Sequence, residues 1–198
     1  MSTLQKTFLT PEQYLEIERK AEFKSEYYQG EMFAMAGAGW AHNRIVWNLV
    51  AEFRQQLRDR PCLGTPSDMR VRVSPTGLYT YPDVTIVCGE PQFLDERRDT
   101  LLNPNLIVEV LSPSTEAYDR GRKFEHYCSV ESLSQYLLVS SERVRAELFT
   151  RQPEGGWLLT AAGQLEDSLD LQSVGCRLTL ADLYEKVDLT ASPGGALA

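Results

Sequence analysis

The sequence predicts a mixed α/β fold built on a central sheet, and three observations support this. Several short segments are rich in β-branched and aromatic residues and are bounded by turn residues, which is typical of strands. One segment, 41–58, repeats apolar residues at spacings of three and four, which is typical of a helix with one buried face. The chain has 198 residues, of which 42% are hydrophobic and 24% charged. That composition suits a single core, so we expect one domain over 10–187 between flexible tails at 1–9 and 188–198.

The N-terminal elements are predicted to be a helix, a hairpin and a second helix. Thr10 and Pro11 suit the N-cap and the first position of a helix that should end near Ala21. Residues 25–36 are rich in aromatic side chains and contain Gly30, which predicts strand, turn and strand. The long helix then follows and should bury one face, formed by Ile45, Leu49, Val50, Phe53 and Leu57.

The rest of the chain is predicted to build the sheet. Residues 68–73 alternate between polar and apolar, as a half-buried strand does. Apolar strands follow at 81–88 and 105–111, and the polar segment 89–104 between them, bounded by prolines, predicts a surface loop. Beyond these we predict a helix at 118–128, a strand at 135–140, a hairpin from 144–150 and 157–161, a short strand at 169–171 and a closing helix at 180–187.

The charge of the chain limits how it could bind nucleic acid. Its formal net charge is −8, whereas a protein that binds by neutralising phosphates is normally basic. The charge therefore argues against a simple nucleic-acid-binding module. It argues only mildly against a metal-dependent nuclease, because the carboxylates of a metal site are themselves negative.

Hydropathy and cysteine usage predict a cytoplasmic protein. No run of about 18 apolar residues is present, so we expect no membrane span. The first residues lack the apolar core of a secretory signal. Cys62, Cys88, Cys128 and Cys176 are scattered without zinc-binding spacing, and we expect them to be reduced thiols; a disulfide is the less favoured alternative.

One carboxylate in the predicted core needs an explanation. Glu109 lies in the strand 106–111, whose other residues are all apolar. An ionised carboxylate there is unfavourable by several kcal/mol unless it is paired or binds a metal. Asp83, at the entrance of another core strand, could converge with it on a divalent cation such as Mg²⁺, and Lys123 on the following helix could orient or deprotonate a water. The structural alternatives are a strand-entry Asp83, a salt-bridged Glu109 and a solvated Lys123.

Other polar residues are candidates for contact with a substrate. His42 begins the long helix, and four arginines could face phosphates or could simply be solvated; these are Arg70, Arg72, Arg120 and Arg122. Glu26 and Glu31 flank the predicted hairpin turn, where surface charges are common. For His42 a structural role is the alternative.

Several segments of the sequence resemble those of a known group of proteins. Pro82-Asp83 followed by the strand that ends in Glu109-Val110-Leu111 is similar to the PD-(D/E)XK nuclease motif. Over roughly residues 8 to 187 the chain resembles the Uma family of restriction-endonuclease-like bacterial proteins. The segments that carry this resemblance are G-E-M-F-A-M-A-G (30–37), H-N-R (42–44), Y-P-D-V (81–84), N-P-N-L-I-V-E-V-L-S-P-S-T (103–115), D-R-G-R-K-F-E-H-Y (119–127) and S-L-S-Q-Y-L-L-V (132–139).

The resemblance implies a restriction-endonuclease-like αβββαβ core, with a central mixed sheet flanked by helices and a C-terminal β-hairpin extension. It implies that Asp83 and Glu109 bind Mg²⁺ or Mn²⁺, with the Val110 carbonyl as a possible third ligand. Glu26 matches an acidic residue that many such nucleases place near the first helix. The lysine expected two residues after the glutamate is Leu111 here, so its role would pass to Lys123 if the helix packs beside the strand.

The favoured function is therefore a metal-dependent endonuclease acting on DNA. A catalytically silent binding or regulatory protein on the same scaffold is the alternative from another class, favoured by the net charge and by Leu111. An RNA-directed nuclease is a third possibility. By analogy with nucleases of this fold, which cut two strands with two sites, we expect a homodimer.

Overall fold

The structure is a computed structural model that describes residues 8–189. The predicted tails at 1–9 and 188–198 lie mostly outside the described residues. Where they are described, Leu9 and Leu189 each pack against a buried hydrophobic cluster. Within 8–189, no helix combines the length and the apolar character needed to cross a bilayer.

The helices form where the sequence patterns place them, with shifted ends. In the first helix, the Thr10 side chain accepts a hydrogen bond from the Gln13 backbone N–H, and the Gln13 side chain accepts one from the Thr10 backbone N–H. The second helix buries Ile45, Leu49 and Phe53 along one face. The helical elements are α1 (Pro11–Glu18), α2 (Trp40–Gln56), α3 (Glu116–Tyr118), a π-helical turn (Asp119–Lys123), α4 (Phe124–Cys128) and α5 (Leu180–Leu183).

The strands form two larger sheets and one hairpin. The first sheet has the order β2-β1-β5-β4-β7, the second has the order β11-β10-β9-β8-β6-β3, and β12 pairs with β13. The strands are β1 (Ser25–Tyr28), β2 (Glu31–Ala34), β3 (Cys62–Pro66), β4 (Arg70–Val73), β5 (Leu78–Thr80), β6 (Val84–Cys88), β7 (Thr100–Leu101), β8 (Leu106–Leu111), β9 (Gln135–Ser140), β10 (Ala146–Arg151), β11 (Trp157–Ala162), β12 (Ser168–Leu171) and β13 (Cys176–Thr179).

The second sheet is the predicted central sheet, and β8 lies inside it. β8 pairs antiparallel with β6 and parallel with β9, so the sheet is mixed. All six residues of β8 are buried. Val108 and Val110 pack in the cluster that contains α2, whereas Ile107 and Leu111 pack on the opposite face, against the first sheet and α4. The predicted α/β class with a central mixed sheet and a C-terminal hairpin is confirmed.

Several elements differ from the sequence prediction. β3 was not predicted because Gly64 and Pro66 weaken its strand pattern, yet it pairs with β6 over five residue pairs at the sheet edge. β7 lies in the segment predicted as a loop and pairs parallel with β4. The segment 62–80 thus contributes to both sheets, and the β1–β2 hairpin belongs to the first sheet because β1 pairs with β5.

The expectation that all cysteines are reduced is wrong for one pair. Cys62 and Cys88 are direct partners in the β3–β6 register and form a disulfide. The sequence could not show this, because the two residues are 26 positions apart and β3 itself was not predicted. Cys128 and Cys176 are free.

Candidate active site

The residues predicted to carry chemistry surround one cleft of about 1210 Å³. Its walls come from both larger sheets and from α2. Residues of β1 and β2 line one part, and the entrance of β6, the end of β8 and the first turns of α2 line another. The π-helical turn closes the inner end with Asp119 and Lys123.

The strand register places the two predicted metal ligands side by side. Val84 of β6 pairs with Val108 of β8, and continuing this antiparallel register by one step sets Asp83 opposite Glu109. At that step Oδ2 of Asp83 accepts the backbone N–H of Val110 at 2.7 Å. The Asp83 side chain is 17% exposed and that of Glu109 is 5% exposed, so one carboxylate faces the open cleft and the other lies beneath it.

The connection between β8 and β9 positions Lys123. Parallel strands need a crossover, and here the crossover contains α3, the π-helical turn and α4 packed beside the sheet. The Lys123 ammonium lies 2.9 Å from Oε1 of Glu109 and 3.2 Å from Oε1 of Glu26. The helix therefore directs Lys123 toward the strand. Lys123 needs this direction if it is to take the role of the motif lysine, whose position is occupied by Leu111.

The π-helical turn is a local feature that sets the direction of this lysine. It spans Asp119–Lys123, and Oδ1 of Asp119 lies 3.4 Å from Nζ of Lys123. The backbone carbonyl of Asp119 accepts a hydrogen bond from the hydroxyl of Tyr136 at 3.1 Å, which ties the turn to β9. Single π-helical turns occur often at functional sites because they change the direction of side chains within a helix.

Glu26 joins the same cluster from the first sheet. It lies in β1 and is 8% exposed. The hydroxyl of Thr80, on the neighbouring strand β5, donates a hydrogen bond to Oε1 of Glu26. Glu26, Glu109 and Asp119 thus surround a single lysine, and each is supplied by a different element.

Burial changes the proton affinities in this cluster. Loss of solvent raises the pKa of Glu109 to about 8, although the charge of Lys123 opposes the rise. Burial also raises the pKa of Asp119, again opposed by Lys123. For Lys123, burial alone would lower the pKa, but Glu109, Glu26 and Asp119 together raise it well above its usual value. The lysine therefore keeps its positive charge, while burial shifts Glu109 and Asp119 toward their protonated forms.

The structure brings His42 to the site and keeps the four arginines away from the cleft lining. Nε2 of His42, in the first turn of α2, lies 3.2 Å from Oδ2 of Asp83. Arg70 is buried and donates hydrogen bonds to Tyr81 and Thr100. The remaining arginines also have other surroundings: Arg72 stacks on the Tyr79 ring, Arg120 pairs with Glu116 and Glu147, and Arg122 is exposed outside the cleft lining.

Sequence reasoning missed three residues that hold the cluster together. Asp119 pairs with Lys123, Thr80 bonds Glu26, and the Tyr127 hydroxyl donates to Oε1 of Glu109 at 2.9 Å. The spacing of four residues from Asp119 to Lys123 and again to Tyr127 could have pointed to two of them. No signal near Thr80 could have done so, because β5 was not predicted.

The carboxylate oxygens of Asp83 and Glu109 suit a small cation that prefers oxygen ligands and needs few of them from the protein. Within residues 8–189, the hydrogen bonds and ion pairs of the two carboxylates use one oxygen each, Oδ2 of Asp83 and Oε1 of Glu109. A second oxygen on each remains for a cation. In the same described part of the chain, no three His, Cys, Asp or Glu side chains are arranged to hold a metal together. Mg²⁺ accepts such a site because it commonly keeps waters and binds one or two carboxylates together with substrate phosphates.

The fold and this cluster define a class. A solved structure from Anabaena variabilis ATCC 29413, described as a putative nuclease belonging to DUF820, has the same fold, with a TM-score of 0.71 at 15% identity. The match covers 89% of this chain and 97% of that one. The comparison therefore assigns this chain to the mixed α/β fold of that structure.

The sequence comparison narrows the class to a family. The chain belongs to the Uma2 family, described as "Putative restriction endonuclease", whose family model matches residues 11–181. This confirms the resemblance found in the sequence motifs.

Two relatives from Synechocystis sp. (strain ATCC 27184 / PCC 6803 / Kazusa) are similar over most of their length. One, called uncharacterized protein slr1290, is 39% identical over 178 residues, which are 89% of this chain and 91% of the relative. The other, uncharacterized protein sll1609, is 38% identical over 152 residues, or 77% and 86% of the two chains. Neither name assigns an activity.

Proposed function

We propose that this protein is an endonuclease that hydrolyses DNA phosphodiester bonds with Mg²⁺ or Mn²⁺. The observation that supports this most directly is the ion cluster in the cleft. A buried lysine contacts Glu109 and Glu26, and Glu109 lies opposite Asp83 at the open surface. The membership of a restriction-endonuclease-like family agrees with this chemistry.

In the proposed site, Asp83 and Glu109 hold the cation, with the Val110 carbonyl as a further ligand. When bound, a divalent cation lowers the pKa of water and stabilises negative charge on a phosphodiester. Holding it requires Glu109 to be ionised. The pKa of Glu109 is raised to about 8 without a metal, so cation binding would displace a proton from this carboxyl at neutral pH.

Lys123 acts in this proposal as a fixed ammonium group. Its pKa is raised well above the usual value, so it does not accept a proton from water at neutral pH. It can instead donate hydrogen bonds, orient a water and stabilise charge that develops on the phosphate. Glu26 holds the ammonium in place and can accept a hydrogen bond from the attacking water. Of the two roles predicted for the lysine, orientation is therefore favoured over deprotonation.

Cleavage of plasmid DNA and of a labelled single strand with Mg²⁺ or Mn²⁺ tests this proposal. We expect nicking by the wild type, loss of nicking in Asp83→Ala, and a loss of about 10²- to 10³-fold in Lys123→Met. Arg122→Met is the matched control, because it removes a neighbouring positive charge that is exposed outside the cleft lining. Equal nicking by the wild type and Asp83→Ala would mean a contaminating nuclease and would overturn the proposal.

A binding or regulatory protein that does not cleave remains the second candidate, favoured by Leu111 in place of the motif lysine. Calorimetric titration with Mn²⁺ separates the two candidates. Binding that Glu109→Ala removes supports the metal site, whereas no binding by the wild type supports the second candidate. An RNA-directed nuclease is the remaining form of the nuclease proposal. Cleavage of labelled RNA under the conditions of the nicking assay tests it.

We also propose that the protein forms a homodimer, by analogy with nucleases of this fold. Light scattering after size-exclusion chromatography gives the mass in solution, and a monomer at micromolar concentration would contradict the dimer.

A further inference from the structure

One wall of the candidate active-site cleft is apolar and exposed. It is formed by the uncharged segment 33–40 (F-A-M-A-G-A-G-W), all of which lines the cleft. Phe33 is 51% exposed and Trp40 is 75% exposed. Phe23, 76% exposed, lines the same cleft. Large aromatic side chains that remain in water at a functional cleft usually mark a binding surface.

The charges that line this cleft do not suit a regular duplex. Eight lining residues are Asp or Glu, and only two are Lys. The positive charge of both lysines is already offset by protein acceptors: Lys24 bonds to the Ser67 carbonyl and to Asp68, and Lys123 lies among three carboxylates. A duplex presents mainly phosphates to a protein, and these would be repelled here. Unpaired bases present uncharged faces that stack on aromatic rings.

We propose that Phe23, Phe33 and Trp40 form a stacking subsite for unpaired nucleobases, so that the substrate is single-stranded or locally unpaired nucleic acid. This inference rests on the proposed nuclease function, because it makes the aromatic wall part of the same substrate site. Stacking supplies the affinity that the acidic lining cannot supply through phosphate contacts. The scissile phosphate then lies toward Asp83 and Glu109 while the neighbouring bases lie along the 33–40 wall.

The chain offers a matched control on the same helix. Trp47 is 69% exposed and lies two turns after Trp40 in α2, but it does not line the cleft. Trp40→Ala and Trp47→Ala therefore remove the same side chain at similar exposure, and only the first removes it from the proposed subsite.

Binding, rather than cleavage, tests the inference. Fluorescence anisotropy compares a labelled single strand with its duplex, with Mg²⁺ present and in the Lys123→Met background to prevent cleavage. We expect the single strand to bind more tightly, Trp40→Ala to weaken single-strand binding about tenfold, and Trp47→Ala to change it by less than about twofold. Phe33→Ala should weaken it in the same direction as Trp40→Ala.

The outcomes separate this inference from the proposed function. Nicking that depends on Asp83, together with single-strand affinity that Trp40→Ala leaves unchanged, would overturn the stacking subsite while the nuclease proposal stands. Loss of nicking in all conditions with Trp40-dependent single-strand binding would support the subsite and overturn the nuclease. A change of solution mass in Trp40→Ala without a change in binding would overturn it in favour of an interface between copies.

Discussion

Glu109 is the residue on which the electrostatics of the site depend. Its carboxyl group lies in a strand buried on both faces, where ionisation is unfavourable without a partner. The structure supplies Lys123 at 2.9 Å and the Tyr127 hydroxyl at 2.9 Å, both on the same oxygen. These contacts do not fully compensate for burial, so the pKa remains raised to about 8. Without a metal, the folded protein therefore favours the protonated form of Glu109, and a bound cation would stabilise the ionised form.

This state of Glu109 predicts a dependence of stability on pH. Between the usual pKa of about 4.5 and the folded value of about 8, the folded protein holds a proton that the unfolded chain releases. The free energy of unfolding should thus fall as the pH rises from about 5 to about 8, by a few kcal/mol in the metal-free protein. Urea unfolding in EDTA across this pH range measures it.

Glu109→Gln is the variant that isolates this group. It keeps the shape of the side chain and cannot ionise, so its free energy of unfolding should change less between pH 5 and 8 than that of the wild type. Asp119, whose pKa is also raised, titrates in both proteins, so the comparison measures the Glu109 carboxyl together with its interaction with Asp119. If the two proteins lose stability in parallel over this range, the raised pKa of Glu109 is refuted.

At the scale of single elements, the position of Lys123 follows from the crossover between β8 and β9. The sequence predicts a helix over 118–128, and an uninterrupted α-helix would already place Lys123 and Tyr127 on one face. The structure replaces part of it with the π-helical turn Asp119–Lys123, fixed by the bond from Tyr136 to the Asp119 carbonyl. That bond joins residues 17 positions apart, so local sequence preference could not reveal it.

The disulfide at the sheet edge is expected to stabilise the fold. Cys62–Cys88 closes a loop with a sequence separation of 26, and a cross-link of that length stabilises by about 2–4 kcal/mol, mainly by restricting the unfolded chain. Cys88→Ser should lower the free energy of unfolding by that amount in the absence of reductant. Chemical denaturation measures it, and thiol titration of the denatured wild type should find two reactive cysteines before reduction and four after it.

Cys128→Ser is the control, since Cys128 is free and partly exposed. Its free energy of unfolding should stay within about 1 kcal/mol of the wild-type value. Four reactive thiols in the unreduced protein would contradict the disulfide and would restore the reduced state expected from sequence.

At the scale of the whole molecule, the sequence predicts the central sheet better than its surroundings. β8 and β9 are continuous apolar runs, so their type and position were predictable. β3 and β7 pair with strands distant in sequence, and β5, which forms a local hairpin with β4, also pairs with the distant β1. This is why the first sheet was not separated from the central one. The arginines illustrate the same limit: the sequence leaves Arg70 as either a phosphate contact or a solvated residue, but it is buried, and its partner Thr100 lies on a strand that the sequence presents as a loop.

The overall charge predicts that the affinity for nucleic acid depends on Mg²⁺. With a net charge of −8 and an acidic cleft, the protein should repel phosphates, so a divalent cation held at the proposed site would reduce this repulsion and raise the affinity for nucleic acid. In Lys123→Met, millimolar Mg²⁺ should therefore raise the affinity for a labelled oligonucleotide by about tenfold or more over EDTA. The double variant Asp83→Asn with Lys123→Met should lose this gain, because it lacks a ligand. Equal affinity with Mg²⁺ and with EDTA, measured by anisotropy, would show that binding does not pass through the proposed metal site.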